Sequence, residues 1–179
     1  DYSMAPPKDT VLDKVKKAGA KVIGIGKIED IFSKAGITHA IHTGSNKEGL
    51  ELTIKAIDGS LDLDSIKYAD ANIKDNDREI IFTNLVDTDM LFGHRNDAKG
   101  YGQAIEEIDD YLEKILPLIG EDDLLVITAD HGCDPTVAGT DHTREQVPVL
   151  YYSKNIEQKD KGVEQGFDTI ANRISDWLF

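Results

Sequence analysis

The chain contains a single cysteine, Cys133, among its 179 residues. One thiol cannot form an internal disulfide, so the disulfide framework typical of small secreted domains is excluded, and we expect a reducing, cytoplasmic environment. No apolar stretch approaches the roughly 20 residues that a transmembrane helix needs, so we expect no membrane partner. No internal repeat or low-complexity linker interrupts the sequence. The length fits one domain with a single substantial core.

Basic residues are also scarce. The chain has 20 Lys and Arg against 34 Asp and Glu, which gives a formal net charge of −14 at pH 7. A negative field of this size disfavours binding to nucleic acids and to anionic membranes, so we expect neither as a partner. It would also repel an anionic small molecule unless bound metal ions or local cations reverse the sign of the charge at the site.

The hydrophobic pattern alternates between strand-like and helix-like segments, which predicts an α/β fold with a mostly parallel sheet flanked by helices. Helical spacing is found in residues 10–18, 29–34, 46–56, 100–118 and 166–178. Short apolar runs predict strands at 21–25, 40–42, 79–86, 124–128 and 147–152. The run at 79–86 is apolar enough to indicate burial on both faces. The acid-rich stretch 59–78 predicts a surface loop or a helix fragment.

Acidic and imidazole side chains follow two of the predicted strands, 79–86 and 124–128. The five candidate metal ligands are Asp89, His94, Asp130, His131 and His142. Ligands bind beyond the carboxyl ends of the strands in open α/β sheets, so we expect these groups to meet in one crevice at the ends of two adjacent strands. Because like charges repel in a dry site, a metal ion is the usual way to hold such groups together.

Five candidates are too many for one open catalytic ion and suit a pair of ions. Oxygen and imidazole donors fit Mn²⁺, Zn²⁺ or Fe and fit Ca²⁺ poorly. Asp130-His131 taken alone could instead be an acidic strand end with a histidine that caps a helix. With Asp141-His142 and with Asp89 and His94 it makes three such clusters at strand ends, which rarely arise from packing, so the metal interpretation is favoured.

The sequence allows two roles for several residues near the candidate ligands. Asp87 and Asp134 either orient a ligand imidazole through its other nitrogen or face the loop. Thr143 and Arg144 either steady the loop or face a phosphate, and the loop role is favoured. Cys133 lies beside the candidate ligands, and we interpret it as their neighbour and not as a nucleophile.

Two segments resemble the phosphopentomutases, a family of the alkaline phosphatase superfamily. The first reads Asn-Leu-Val-Asp-x-Asp-x-Leu-x-Gly-His-Arg from Asn84, and the second combines Thr-Ala-Asp-His-Gly-x-Asp-Pro with Gly-Thr-Asp-His-Thr-Arg-Glu from Thr128 to Glu145. The resemblance runs through most of the chain and is strongest between Phe82 and Pro148. It implies an alkaline-phosphatase-like core that is incomplete at its N-terminus.

The resemblance also implies roles for individual residues. Asp89, His94 and His142 would ligate one divalent ion and Asp130 and His131 a second, most often Mn²⁺. Lys27 would lie near the substrate end of the site, and Cys133 replaces the family's usual Asn. A further metal-binding aspartate and the threonine that carries the phosphoryl group lie upstream of the matched positions.

Residues 1–179 are therefore expected to be the C-terminal portion of a metal-binding catalytic core, without its N-terminal segment and cap domain, and inert alone. The implied activity is that of an isomerase, which interconverts ribose or deoxyribose 1-phosphate and 5-phosphate through a phosphothreonine enzyme. Its partners would be the sugar phosphate and the missing N-terminal part of the same protein. The alternatives are another mutase or a phosphodiesterase of the superfamily, or a non-catalytic metal-binding module.

Overall fold

The computed structural model describes residues 4–66 and 78–179. The chain divides into two compact units. The first comprises Asp1–Gly44, Gly59–Asn84 and Gln158–Phe179, and the second comprises Ser45–Asp58 and Leu85–Glu157. Each unit has its own cluster of buried apolar side chains, where the chain length had predicted a single core.

The first unit is built around a parallel three-stranded sheet. Strand β1 (Lys21–Ile25) lies between β2 (His39–Ile41) and β3 (Glu79–Thr83), and both neighbours run parallel to it. β1 is apolar on both faces and is buried along most of its length, as the central strand of a covered parallel sheet requires. The buried cluster beside it consists of Leu12, Val15, Ala20, Val22, Ile28 and Ile37.

The described α-helices of the first unit are α1 (Val11–Lys17), α2 (Ile28–Ile31) and α5 (Asp168–Leu178). α1 begins where a capping box satisfies its first free amides. The Thr10 hydroxyl accepts from the Asp13 amide, and the Asp13 carboxylate accepts from the Thr10 amide at 2.8 Å.

The second unit packs two helices together and carries a two-stranded sheet. Helix α3 (Asn46–Ile57) and helix α4 (Ala98–Ile115) share a core cluster, against which Leu125 of strand β4 (Leu125–Thr128) packs. β4 pairs antiparallel with β5 (Val149–Tyr152). The buried members of this cluster are Leu50, Tyr111, Ile115 and Ile119. The Tyr111 hydroxyl also donates to Glu51 Oε1 on α3 at 3.2 Å.

The predicted α/β fold with a parallel sheet flanked by helices is confirmed. Two details were wrong. β3 ends at Thr83 and is only half-buried, because it forms an edge of the sheet in the described part of the chain. β4 pairs antiparallel with β5 and, among the described strands, has no pairing with β3, so the two are not adjacent strands as expected.

The acid-rich stretch 59–78 contains a 3₁₀ turn, Leu63–Ser65, and its residues 67–77 lie outside the described residues. None of the described helices is both long enough and apolar enough to cross a membrane.

Two glycines with positive φ provide a test of the first unit. Gly26 (φ 85°) follows β1, and a Cβ there would lie 2.5 Å from the backbone oxygen of Asn84, whereas Gly59 (φ 75°) faces open space. We expect Gly59→Ala to cost about 1–2 kcal/mol for its left-handed backbone alone. Gly26→Ala should cost clearly more, because the backbone of Asn84 must also move. Urea unfolding of both variants measures the difference, and equal costs would contradict this packing.

Candidate metal centre

The segment that carries Asp89 and His94 is a compact double turn in the second unit. A π-helical turn, Thr88–Phe92, leads directly into a 3₁₀ turn, Gly93–Arg95. Asn96 ends this segment in the left-handed conformation (φ 53°). π-helical turns are rare and recur at functional sites. Here the double turn brings the side chains of Asp89 and His94, five positions apart in the sequence, close together.

The loop that carries His142 is held by a hydrogen-bonded pairing. Gly132 forms an antiparallel bridge with Thr143, whose amide donates to the Gly132 carbonyl at 3.0 Å. The Thr143 hydroxyl accepts from the Asp134 amide at 2.8 Å and donates to Glu145 Oε2 at 2.6 Å. A Cβ at Gly132 would lie 2.8 Å from the backbone oxygen of Thr143, so a larger residue would force the backbone of this pairing to shift. Thr143 therefore has the loop role favoured from the sequence.

Several contacts join the double turn to the loop that follows β4. Asn96 Nδ2 donates to the Val137 carbonyl at 2.8 Å, and His94 Nδ1 bonds to the Thr140 carbonyl. Gly93 packs so closely against Cys133 that a Cβ at position 93 would collide with Sγ. Two segments that are some 40 residues apart in the sequence, as the 41-residue separation of Asn96 and Val137 shows, are thereby fixed side by side.

One carboxylate oxygen lies at the centre of the site. Asp89 Oδ1 is 3.2 Å from His94 Nε2 and 3.3 Å from His142 Nε2. It is buried and has no hydrogen-bond partner in the described structure. The His131 ring stacks on the His142 ring with centroids 3.6 Å apart, and the His94 ring centroid is 4.9 Å from that of His142. Three imidazoles therefore gather around one carboxylate.

The backbone determines which imidazole nitrogens are free. A carbonyl oxygen can only accept, so the Nδ1 atoms that contact the Thr140 carbonyl (His94) and the Gly132 carbonyl (His131, 3.1 Å) carry protons. In the neutral rings the lone pair then lies on Nε2. His94 Nε2 faces Asp89 Oδ1 at 3.2 Å, where either a proton on the nitrogen or a metal ion between the two atoms compensates the carboxylate charge.

The donor atoms form two groups that can hold such a cation. Asp89 with His131 and His142, and Asp89 with His94 and Cys133, each offer three ligand atoms within 4.8 Å of one another. Ligands about 2.0–2.3 Å from a common transition-metal ion have comparable separations. The residues therefore fit a divalent metal ion.

Two of the predicted site residues are not members of these groups. Asp130 is 69% exposed, and its Oδ1 is 3.7 Å from His131 Nε2, so it contacts the site only through that ring. Lys27 lies in the first unit, exposed, at the start of α2. The structure thus gathers Asp89 and the three histidines, and it groups His131 with Asp89 and His142.

Cys133, which the sequence placed beside the candidate ligands, contacts one of them directly, the Asp89 carboxylate. Burial raises the pKa of its thiol, and a hydrogen bond with the Asp89 carboxylate and the charge of Glu145 raise it further. Burial likewise raises the pKa of the nearby Tyr101, with additional contributions from the charges of Cys133 and Asp89. The position of Cys133 two residues after His131 was the sequence signal that placed Cys133 near the site. Nothing in the sequence pattern singled out Tyr101.

The two aspartates with open roles both bond to backbone amides. Asp87 Oδ2 accepts from the amide of Asn46 at 2.8 Å. Asp134 Oδ1 accepts from the hydroxyl and the amide of Thr136, and these bonds lower the pKa of the Asp134 carboxyl. Among the described contacts, neither aspartate orients an imidazole.

Known proteins are similar in sequence to this chain over nearly its whole length. Residues 1–178 match the family described as the metalloenzyme superfamily. A phosphopentomutase of Caldanaerobacter subterraneus subsp. tengcongensis is 46% identical over 177 residues, which cover 98% of this chain and 41% of that protein. A phosphopentomutase of Alkaliphilus metalliredigens is 47% identical over 179 residues, and one of Anaeromyxobacter sp. (strain K) is 44% identical over 178 residues, each covering 99% of this chain and 42% of the relative.

The chain thus spans about two fifths of the length of the curated relatives that it matches. The superfamily match, in contrast, extends over nearly every residue and includes each of the candidate ligands. This chain belongs to the metalloenzyme superfamily.

Proposed function

We propose that this chain is the metal-binding part of a phosphopentomutase, an isomerase that interconverts ribose 1-phosphate and ribose 5-phosphate and the corresponding deoxyribose phosphates. The observation that carries the proposal is the buried Asp89 oxygen, which faces two imidazole nitrogens without a hydrogen bond. Relatives that are 44–47% identical over nearly the whole chain bear the name phosphopentomutase.

In this proposal Asp89, His94 and His142 hold one divalent ion, and Asp130 and His131 hold a second beside it. Mn²⁺ is the ion we favour, because carboxylate and imidazole donors suit it. Such ions supply positive charge that stabilises the charge developing on a phosphoryl group during its transfer.

The residues of this chain would mainly orient and support the ligands. The Thr140 carbonyl fixes the His94 ring through its Nδ1 hydrogen bond, which is the usual way in which a ligand imidazole is aimed. Thr143 holds the loop next to His142. Lys27 would meet the substrate phosphate as a point charge, in a chain whose net charge of −14 otherwise repels anions.

The chemistry would be shared with sequence outside the matched positions. In the phosphopentomutases that this chain resembles, a phosphorylated threonine upstream of the matched region passes its phosphoryl group to the sugar phosphate. We therefore propose that residues 1–179 are the C-terminal portion of the catalytic core of a cytoplasmic enzyme. Alone, they should bind metal weakly and turn over no substrate.

The metal site can be tested by calorimetry, in which the 179-residue chain is titrated with Mn²⁺. We expect His142→Ala to weaken binding by at least about 10-fold, since loss of even a residue that only orients a metal ligand typically costs 10- to 100-fold. His42→Ala is the matched control, because His42 is an exposed histidine of the first unit that pairs with Glu29 at 3.0 Å. Equal affinities of both variants would show that the His142 loop is structural.

The activity requires the full-length native protein and a coupled assay for ribose 5-phosphate formed from ribose 1-phosphate. We expect Mn²⁺-dependent turnover, a loss of at least about 100-fold in kcat/KM with His142→Ala, and little change with His42→Ala. The 179-residue chain should be inactive in the same assay. Metal-dependent hydrolysis of a phosphodiester without mutase activity would instead favour the phosphodiesterase alternative, and turnover by the 179-residue chain would contradict the shared site.

A further inference from the structure

Asn46 is a polar residue in a position that packing alone does not explain. It is the first residue of α3 and is 1% exposed, which makes it one of the most deeply buried polar side chains in the described structure. Its Nδ2 is buried and has no hydrogen-bond partner among the described residues. An unpaired buried donor costs free energy, so an apolar residue of similar size would serve the helix better if filling space were the only task.

The other polar groups of Asn46 form a reciprocal pair with one residue far away in the sequence. The Asn46 amide donates to Asp87 Oδ2 at 2.8 Å, and Asn46 Oδ1 accepts from the Asp87 amide at 3.0 Å. We call these two bonds the Asn46–Asp87 clasp. It connects positions 41 residues apart and immobilises both the backbone and the side chain of Asp87.

Asp87 begins the turn that presents the proposed metal ligand. It directly precedes the π-helical turn Thr88–Phe92, in which the Met90 amide donates to the Val86 carbonyl at 2.8 Å. Asp89 Oδ1 has no hydrogen bond of its own among the described residues, and the carboxylate bonds to the Cys133 thiol, so the position of Oδ1 depends largely on how firmly its backbone is held. The clasp holds that backbone two residues before Asp89.

Helix α3 is a firm support for the clasp. Its Leu50 is 4% exposed within the core cluster that α3 shares with α4 in the second unit. Sites that are anchored to packed helices hold their ligands more accurately than sites built on loops alone. The π-helical turn is thus tied to a helix that is anchored in the core of its unit.

We propose that Asn46, through the clasp, is a positioning residue that sets the place of the Asp89 carboxylate for metal binding. This inference rests on the metal site of the proposed function. It assigns Asn46 no contact with the ion or with a substrate.

The test measures Mn²⁺ affinity of the 179-residue chain, by calorimetry, for variants shown by circular dichroism to be folded. Asn46→Ala removes the acceptor for the Asp87 amide, and Asp87→Ala removes the acceptor for the Asn46 amide. We expect each to weaken Mn²⁺ binding by about 10-fold or more. Each single variant removes one of the two bonds and the double variant removes both, so the double variant should bind Mn²⁺ at least as weakly as the weaker single variant. If Asn46→Ala does not fold, Asp87→Ala carries the test.

Two controls separate positioning from other effects. Like Asp87→Ala, Asp87→Asn removes the negative charge of the carboxylate. It keeps an oxygen acceptor for the Asn46 amide, however, so its Mn²⁺ affinity should stay close to that of the unchanged chain. Tyr111→Phe breaks the other α3 hydrogen bond described above, so it should lower stability to urea without changing the Mn²⁺ affinity.

The outcomes distinguish this inference from the proposed function. If the unchanged chain does not bind Mn²⁺, the proposed metal site fails and the positioning role fails with it. If the unchanged chain binds Mn²⁺, and both alanine variants bind it equally well or Tyr111→Phe weakens binding as much as they do, only the positioning role is overturned.

Discussion

The site in the second unit is governed by one electrostatic conflict. A buried carboxylate oxygen of Asp89 faces the Nε2 atoms of His94 and His142 at 3.2 and 3.3 Å and makes no hydrogen bond with either. The Thr140 carbonyl holds the proton of His94 on Nδ1, so its Nε2 presents a lone pair to the carboxylate. A buried carboxylate in this setting needs a positive charge beside it, from a metal ion or from a protonated imidazole, and the surrounding loops hold the rings that can provide it or ligate it.

The scaffold around this carboxylate is built from contacts that leave little room for adjustment. Gly93 and Gly132 occur where a single methyl group would collide with Cys133 and with the backbone of Thr143. Thr143 and Asn96 connect loop segments by hydrogen bonds to backbone groups. Each of these residues acts on the geometry of a neighbour and not on a ligand or substrate, and together they hold short, irregular turns in one arrangement.

Much of this could be predicted from the sequence, because it depends on local pattern. β1 was predicted with its observed bounds, and α3 and α4 within a few residues, since buried strands and amphipathic helices leave a periodic signature. The burial of residues 79–86 was mispredicted, because apolar composition cannot tell a central strand from the half-buried edge strand that β3 is. The pairing of β4 with β5 was missed for a similar reason: strand direction is decided by partners distant in the sequence.

The sequence by itself determined which residue types are available: a carboxylate, Asp89, and three histidines placed next to apolar strands, in an order that resembles one family of metal-dependent enzymes. The tertiary structure alone decided which of them meet. It stacked His131 on His142, left Asp130 mostly exposed, and brought Cys133 against Asp89. The physical reason is that ligand geometry depends on the path of the backbone through two turns and a loop. Hydrogen bonds between residues some 40 positions apart set that path, and no local pattern encodes them.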